Sequence, residues 1–229
     1  MSKARLRLDT WLVKQGIATD AGHAKVLIDQ GLILVNGSIA LTDNRMIANS
    51  DSVLLSTPAR FVSRGGEKLE SALQAFGVKL DGKRVLDVGA STGGFTDCLL
   101  QRGATHVVSI DVGRGQLHWK IRNDARVDSR EGVNARFLEP ADFQPAPTLA
   151  VGDVSFISLT MILPAVMRVL ERGGDLVFLI KPQFEAPRES VERGGIVQDE
   201  AVRLACVEKI NGFIEKSGAR WMGHIVSPI

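Results

Sequence analysis

Val85-Leu86-Asp87-Val88-Gly89-Ala90-Ser91-Thr92-Gly93-Gly94-Phe95 decides the fold of this chain. An apolar run ends there in an acid and a glycine-rich turn, then opens into a helical pattern, which predicts strand, loop and helix in immediate succession. Such a junction sets a ligand over the carboxyl edge of a parallel sheet, facing backbone N–H groups and a helix start. Gly89, Gly93 and Gly94 permit positive φ and let a ligand approach the backbone with no Cβ in the way.

Working toward the C-terminus, His106 to Ile110 predicts a second strand ending in Asp111, which lies 24 positions after Asp87. An acid at that distance commonly holds a ribose by its hydroxyls in a nucleotide-binding α/β sheet. Trp119 is expected in the core. A third strand falls within Val127 to Asn134. A fourth, Thr148 to Gly152, ends in Asp153-Val154-Ser155-Phe156-Ile157-Ser158-Leu159, with a helix running on to Leu170. A fifth, Asp175 to Ile180, ends in Lys181-Pro182-Gln183-Phe184-Glu185. Asp87, Asp111, Asp153 and Lys181 therefore all stand at carboxyl ends of parallel strands, the edge where such sheets carry their sites. A helix over Glu200 to Lys216 and a sixth strand over Trp221 to Val226 complete the order.

Toward the N-terminus, Ser63-Arg64-Gly65-Gly66-Glu67-Lys68-Leu69 leads into a helix carrying Leu69, Leu73 and Phe76 on one face. Lys68 lies near its start, where an ammonium opposes the helix dipole, which suggests a task other than helix stability. Farther back, Leu8, Trp11 and Leu12 share one helical face, and Ala24, Leu27 and Ile28 share another. Leu32 to Val35, Asn36-Gly37 and Ser38 to Ala40 predict a hairpin with a type I′ turn, and a later strand fits Ser52 to Ser56. Two short helices and a small sheet make a compact unit over residues 1–56, and residues 57–66, with Pro58 and Gly65-Gly66, form the expected linker.

Composition narrows the function classes. Of 229 residues, 45% are hydrophobic and 24% charged, ordinary for a globular chain with room for two unequal domains. A formal net charge of +2 means that any nucleic-acid contact depends on local clustering. Cys98 and Cys206 have no C-x-x-C spacing, and each falls in a helical apolar pattern expected to bury it in a reducing compartment. His23, His106, His118 and His224 show no metal-ligand spacing, so no zinc site is proposed. The N-terminus lacks an apolar signal core, and no stretch reaches the ~18 apolar residues of a membrane span. A cytoplasmic protein is the expectation.

Three resemblances add to this. The glycine spacing is not the dinucleotide G-x-G-x-x-G, and with Asp87 just before the turn it resembles motif I of S-adenosylmethionine (SAM) methyltransferases. That implies SAM as cofactor, held by Asp87, Gly89, Ser91, Gly93, Gly94 and Phe95, with Asp111 on its ribose. Arg7-Leu8-Asp9, Ala24 to Gly31 and Gly31-Leu32-Ile33-Leu34-Val35-Asn36-Gly37 resemble the S4 RNA-binding domain. That fold presents cations to RNA phosphates, here Arg5, Arg7, Lys14, Lys25 and, beyond the fold itself, Arg64. The S4 pattern has Ser-Arg at the start of its second helix where this chain has Thr19-Asp20. Eight cations face five acids over residues 1–66, so the S4 unit alone is expected to bind RNA modestly.

The S4-like unit, the Ser63–Leu69 segment, the glycine-rich turn, Asp153–Leu159 and Ile180–Glu185, in this order, resemble the TlyA (hemolysin A) family of FtsJ-like ribosomal RNA 2′-O-methyltransferases. The implied architecture is α/β, a small α+β S4-like domain followed by a Rossmann-like SAM-dependent methyltransferase domain over residues 67–229. The implied activity is methylation of cytidine 2′-hydroxyls in ribosomal RNA, with ribosomal RNA or ribosomal subunits as partner. Lys68, Asp153 and Lys181 match three members of the family's Lys-Asp-Lys-Glu tetrad. The fourth follows a G-N-x-E-like segment in a seventh strand, which this sequence does not contain, and Glu185 and Glu200 do not correspond to it by position. The expectation is a chain shorter than its natural gene product, or an unpaired sixth strand.

The chemistry fits the residues. A ribose hydroxyl is a weak acid and a weak nucleophile, so methylating it requires a group that takes its proton beside an aligned methyl donor. A lysine next to an acid and a second cation can act so. No Asn/Asp-Pro-Pro-Tyr/Phe follows the fourth strand, against amino methylation of adenine, and no cysteine lies in a strand-end loop to attack a pyrimidine ring. An RNA-binding module with a SAM pocket but no turnover is the alternative. A pore-forming cytolysin finds no spanning or strongly amphipathic segment in the sequence.

Overall fold

A computed structural model of the chain describes residues 5–56 and 59–229, in two compact units that divide after residue 59. In the first unit, β1 (Leu6–Arg7) leads into α1 (Leu8–Lys14) and α2 (Ala21–Asp29), followed by β2 (Ile33–Val35), β3 (Ser38–Ile39), β4 (Met46–Ile47) and β5 (Val53–Leu55). β1 pairs antiparallel with β4, and β2 lies between β3 and β5, with Leu34 opposite Ile39 on one side and Leu54 on the other. Leu8, Leu12, Ala24, Ile28, Ile33 and Val35 close the core between the helices and the sheet.

Local signals explain these elements. Asn36 and Gly37 both take positive φ, 53° and 79°, as the expected type I′ turn demands. Asp20, where the S4 pattern differs, caps α2 by accepting the His23 N–H at 2.9 Å, so the departure supplies a helix start of equal chemistry.

The second unit begins with α3 (Gly65–Ala75) and then runs β6 (Arg84–Val88), α4 (Gly94–Gln101), β7 (His106–Asp111), α5 (Trp119–Arg122), β8 (Val127–Glu131) and β9 (Leu149–Gly152). α6 (Leu159–Val169), β10 (Asp175–Phe178), α7 (Pro182–Glu185) and α8 (Glu200–Lys216) follow. The sheet order is β10-β9-β6-β7-β8, and every pairing is parallel. Side chains alternate between two cores, as a sheet covered on both faces requires. Val85, Val107, Leu149 and Val151 pack with Leu69, Leu73 and Leu99 of α3 and α4. Leu86, Val108, Ile110 and Ala150 pack with Leu159, Ile162, Val166 and Ile210 of α6 and α8. Strand order reverses between β6 and β9, and a crevice opens there beyond the carboxyl ends, the place such sheets give to ligands.

Three expectations are corrected. Residues 60–66 belong to the second unit instead of a linker: Phe61 is buried against Leu69, the Val62 N–H donates to Asp97 Oδ2 at 2.8 Å, and α3 already opens at Gly65. Residues 57–58 of that linker lie outside the described residues. Trp119, expected in the core, is 72% exposed, because α5 has only one turn and Ile121 takes its buried face. Trp221 to Val226 form no strand; Ala219 and Trp221 pack beside α8. Among the described residues no helix is long and apolar enough to cross a membrane.

Candidate active site

The site is assembled by two strand ends and one helix start. α3 brings Lys68, the end of β9 brings Asp153 and Ser155, and the end of β10 brings Lys181. Lys181 Nζ lies 2.6 Å from Asp153 Oδ1, and Lys68 Nζ lies 3.0 Å from Asp153 Oδ2. Lys181 Nζ also donates to Ser155 Oγ at 2.9 Å. The three charged side chains are 17–24% exposed, enough shielding to strengthen the attraction over that of a surface pair. Two ammonium groups thus share one carboxylate, one on each oxygen.

A cavity of about 430 Å³ opens beside this cluster, within the range of small-molecule sites. It is lined by the Gly89–Thr92 loop, by Gly94 and Phe95 at the start of α4, and by Ser63, Arg64 and Gly65, which pack against that helix start. Gly89 at φ 81° would set a Cβ 3.1 Å from the Asp153 carbonyl, so a side chain there would push against the loop that carries the acid. Gly93 turns the chain into α4 from the left-handed region at φ 93°. The first-turn N–H groups of α4 have no intrahelical acceptor and present positive dipole ends.

Neither of the two other strand-end acids is among the residues that line this cavity. Asp87, expected against the cofactor, is wholly buried beneath the turn and does not line the cavity. It accepts the Thr96 hydroxyl at 2.6 Å, tying β6 to α4, and its Oδ1 has no hydrogen-bond partner. Burial pushes its carboxyl up to about 7, against the Thr96 bond and with a smaller contribution from the Asp153 charge. Asp111 accepts Ser91 N–H on Oδ2 at 2.8 Å and Gly113 N–H on Oδ1 at 2.7 Å, bracing the glycine-rich loop. Each oxygen keeps a lone pair for a further donor.

A second cavity of about 680 Å³ adjoins the first through Ser155. Phe156 and Phe184 line it together, with ring centroids 5.3 Å apart and planes at 48°, and Val112, Asn134, Arg136 and Met161 are among its other lining residues. Phe156 is 91% exposed at φ 64°, a backbone state that a large side chain rarely adopts, so the loop holds an apolar ring in solvent at a cost. Phe156, Phe184 and Ser155 were not singled out from the sequence; their spacing within the strand-end loops was the available signal.

The cations expected on RNA divide. Arg5 and Lys14 are exposed and, among the described residues, make no ion pair. Arg7 is bound to Asp9, Nη2 to Oδ2 at 2.6 Å, and Lys25 to Asp29 at 2.9 Å, so two of the four candidate RNA contacts in the first unit are partly neutralised. Arg64 lies in the second unit, at the wall of the smaller cavity.

The chain is similar to known proteins over nearly its whole length. A family model described as FtsJ-like methyltransferase matches residues 61–229, and an S4 domain model matches residues 6–48. The 16S/23S rRNA (cytidine-2′-O)-methyltransferase TlyA of Mycobacterium tuberculosis is 41% identical over 227 residues, covering 98% of this chain and 85% of that protein. Hemolysin A of Brachyspira hyodysenteriae is 40% identical over 225 residues, covering 98% and 94%. A solved structure from Streptococcus thermophilus, described as a candidate hemolysin, aligns with a TM-score of 0.74 at 41% identity, covering 100% of this chain and 84% of that one.

Proposed function

Because the chain belongs to the TlyA family of FtsJ-like methyltransferases that carry an S4 domain, we propose that it methylates the 2′-hydroxyl of cytidine in ribosomal RNA with S-adenosylmethionine as donor. The observation that carries this reading is the Lys68–Asp153–Lys181 cluster at the mouth of the glycine-lined cavity.

The residues present fit the donor. The glycine-rich loop leaves room for a ligand against the backbone, and the start of α4 with Arg64 offers partners for a carboxylate. Asp111 keeps acceptor capacity for ribose hydroxyls. Bound there, the donor supplies an electrophilic methyl carbon on a sulfonium.

The chain's own groups then do three things. Lys181, as the neutral amine, accepts the 2′-hydroxyl proton on Nζ, and Asp153 holds that amine in place through the 2.6 Å contact. Lys68, kept as ammonium by Asp153, opposes the negative charge that develops on the ribose oxygen. Phe156, with Phe184 behind it, offers a face on which the unstacked target base can rest while its ribose reaches Lys181. Arg5 and Lys14 add phosphate contacts from the S4 unit, which position RNA without reading its sequence.

Transfer of tritium from labelled SAM to ribosomal subunits tests the reading. Incorporation that disappears in Lys181→Ala and Asp153→Ala supports it; equal rates in both variants refute the assigned roles.

A further inference from the structure

Glu185 ends the short helix that follows Lys181, and its side chain is only 1% exposed. A carboxylate so placed needs donors on every side, and three surround it. Ser158 Oγ donates to Oε2 at 2.7 Å, the Leu159 N–H donates to Oε1 at 2.7 Å, and Lys209 Nζ of α8 donates to Oε2 at 2.8 Å. Lys209 also reaches the Glu185 carbonyl at 2.9 Å. Capping α6 does not require this acid, because the Ser158 hydroxyl already accepts the Thr160 N–H.

The connection it makes is between two loops. One leaves β9 with Asp153 and Ser155 and ends at Ser158; the other leaves β10 with Lys181 and ends at Glu185. Behind the Lys181–Asp153 contact the loops are joined by the β9–β10 ladder, extended by Leu179 N–H to the Gly152 carbonyl at 2.9 Å. In front of it they are joined by Glu185. The amine and the acid sit inside a bracket closed at both ends.

We propose that Glu185 is a positioning residue for the methyl-transfer site: it pins the Asp153 loop to the Lys181 loop and so fixes the amine relative to its acid. It touches neither substrate nor donor, and its role in turnover rests on the reaction proposed above. Opening the front of the bracket lets Lys181 shift against Asp153, and a displacement of about 1 Å at a reacting group costs up to roughly a hundredfold in rate.

Full-length Glu185→Gln and Lys209→Met variants test this. Gln keeps the size but places an amide N–H₂ against donors, whereas Lys209→Met leaves both bonds to α6 in place. The expected result for Glu185→Gln is a kcat lowered by roughly 10- to 100-fold, with SAM affinity by calorimetry unchanged and the protein folded at the assay temperature. Lys209→Met lowers Tm and keeps kcat. Unchanged kcat in Glu185→Gln, or equal losses of kcat in both variants, overturns the proposal. The Lys181 side-chain resonances in lysine-labelled protein read the same geometry without turnover. They move in Glu185→Gln and hold in Lys209→Met; identical Lys181 resonances in wild type and Glu185→Gln overturn the positioning role. Should wild-type protein transfer no methyl group to any ribosomal particle, the proposed reaction fails, and the resonances still decide the role of Glu185.

Discussion

Replacing Asp87 by asparagine should remove a loss of stability that the wild-type protein suffers as pH rises. The Asp87 carboxyl is buried, bonded only to Thr96 among the described residues, and pushed from its ordinary 3.8 up to about 7. Between those values the folded state holds a proton that the unfolded state has released, so unfolding free energy falls as pH rises through the window and levels off above 7. The gap is about three units at ~1.36 kcal/mol each, roughly 4 kcal/mol in full. Between pH 5 and pH 8 this one group should remove about 2–3 kcal/mol. A side-chain amide in place of the carboxyl keeps an acceptor for Thr96 and carries no proton to lose. Urea unfolding of wild type and Asp87→Asn, measured at several pH values and one ionic strength, isolates the term, because other titrating groups cancel in the difference. The variant should gain on the wild type from pH 5 to about 7 and hold that gain at pH 8. A difference that stays flat would refute the claim that burial holds this acid neutral.

Phe156→Ala should raise KM for RNA by the equivalent of ~1–3 kcal/mol of lost stacking, with SAM affinity unchanged in calorimetry; an unaltered KM would show that the exposed ring is not a platform. Glu70 takes two bonds from Arg102, at 2.6 and 2.8 Å, and a third contact from Arg60 at 2.9 Å. The Arg102 bonds chiefly hold its carboxyl down at about 2. That stabilisation is present above the ordinary carboxylate range and lost as pH falls toward 2, so Glu70→Gln should cost roughly 2 kcal/mol at pH 7, allowing for the exposure of Arg60. Denaturation at pH 7 and pH 3 checks it, the gap narrowing in acid. Lys68→Ala should leave RNA binding intact and slow methyl transfer by about a hundredfold, the lower end of what one electrostatic contact to the reacting oxygen contributes; single-turnover rates with pre-bound RNA measure this directly.

Much of the second unit could be read from short-range pattern. Apolar runs closed by Asp87, Asp111, Asp153 and Lys181 marked β6, β7, β9 and β10, and parallel pairing then placed all four at one edge. Lys68 stood out because a cation in the first turn of α3 opposes the helix dipole. Direction was not legible. A strand-end acid can point over the edge, as Asp153 does, or beneath the turn, as Asp87 does, and only the packing of Thr96 against it separates the two. Phe156 owes its exposure to a positive φ that no periodicity announces. The partners of Glu185 lie at Ser158 and Lys209, far apart along the chain, so its burial emerges only when α6 and α8 share one face of the sheet. The same reason removed residues 60–66 from the linker, since Phe61 finds its core on α3 and Val62 its acceptor on α4.

Nucleoside analysis of the RNA product tests the central claim most directly. Ribosomal subunits incubated with the protein and SAM are digested to nucleosides and resolved by mass spectrometry. The account predicts 2′-O-methylcytidine that accumulates with wild type and is absent with Lys181→Ala. Methyl groups found on a base, or 2′-O-methylcytidine formed equally well by the Lys181→Ala protein, would contradict it.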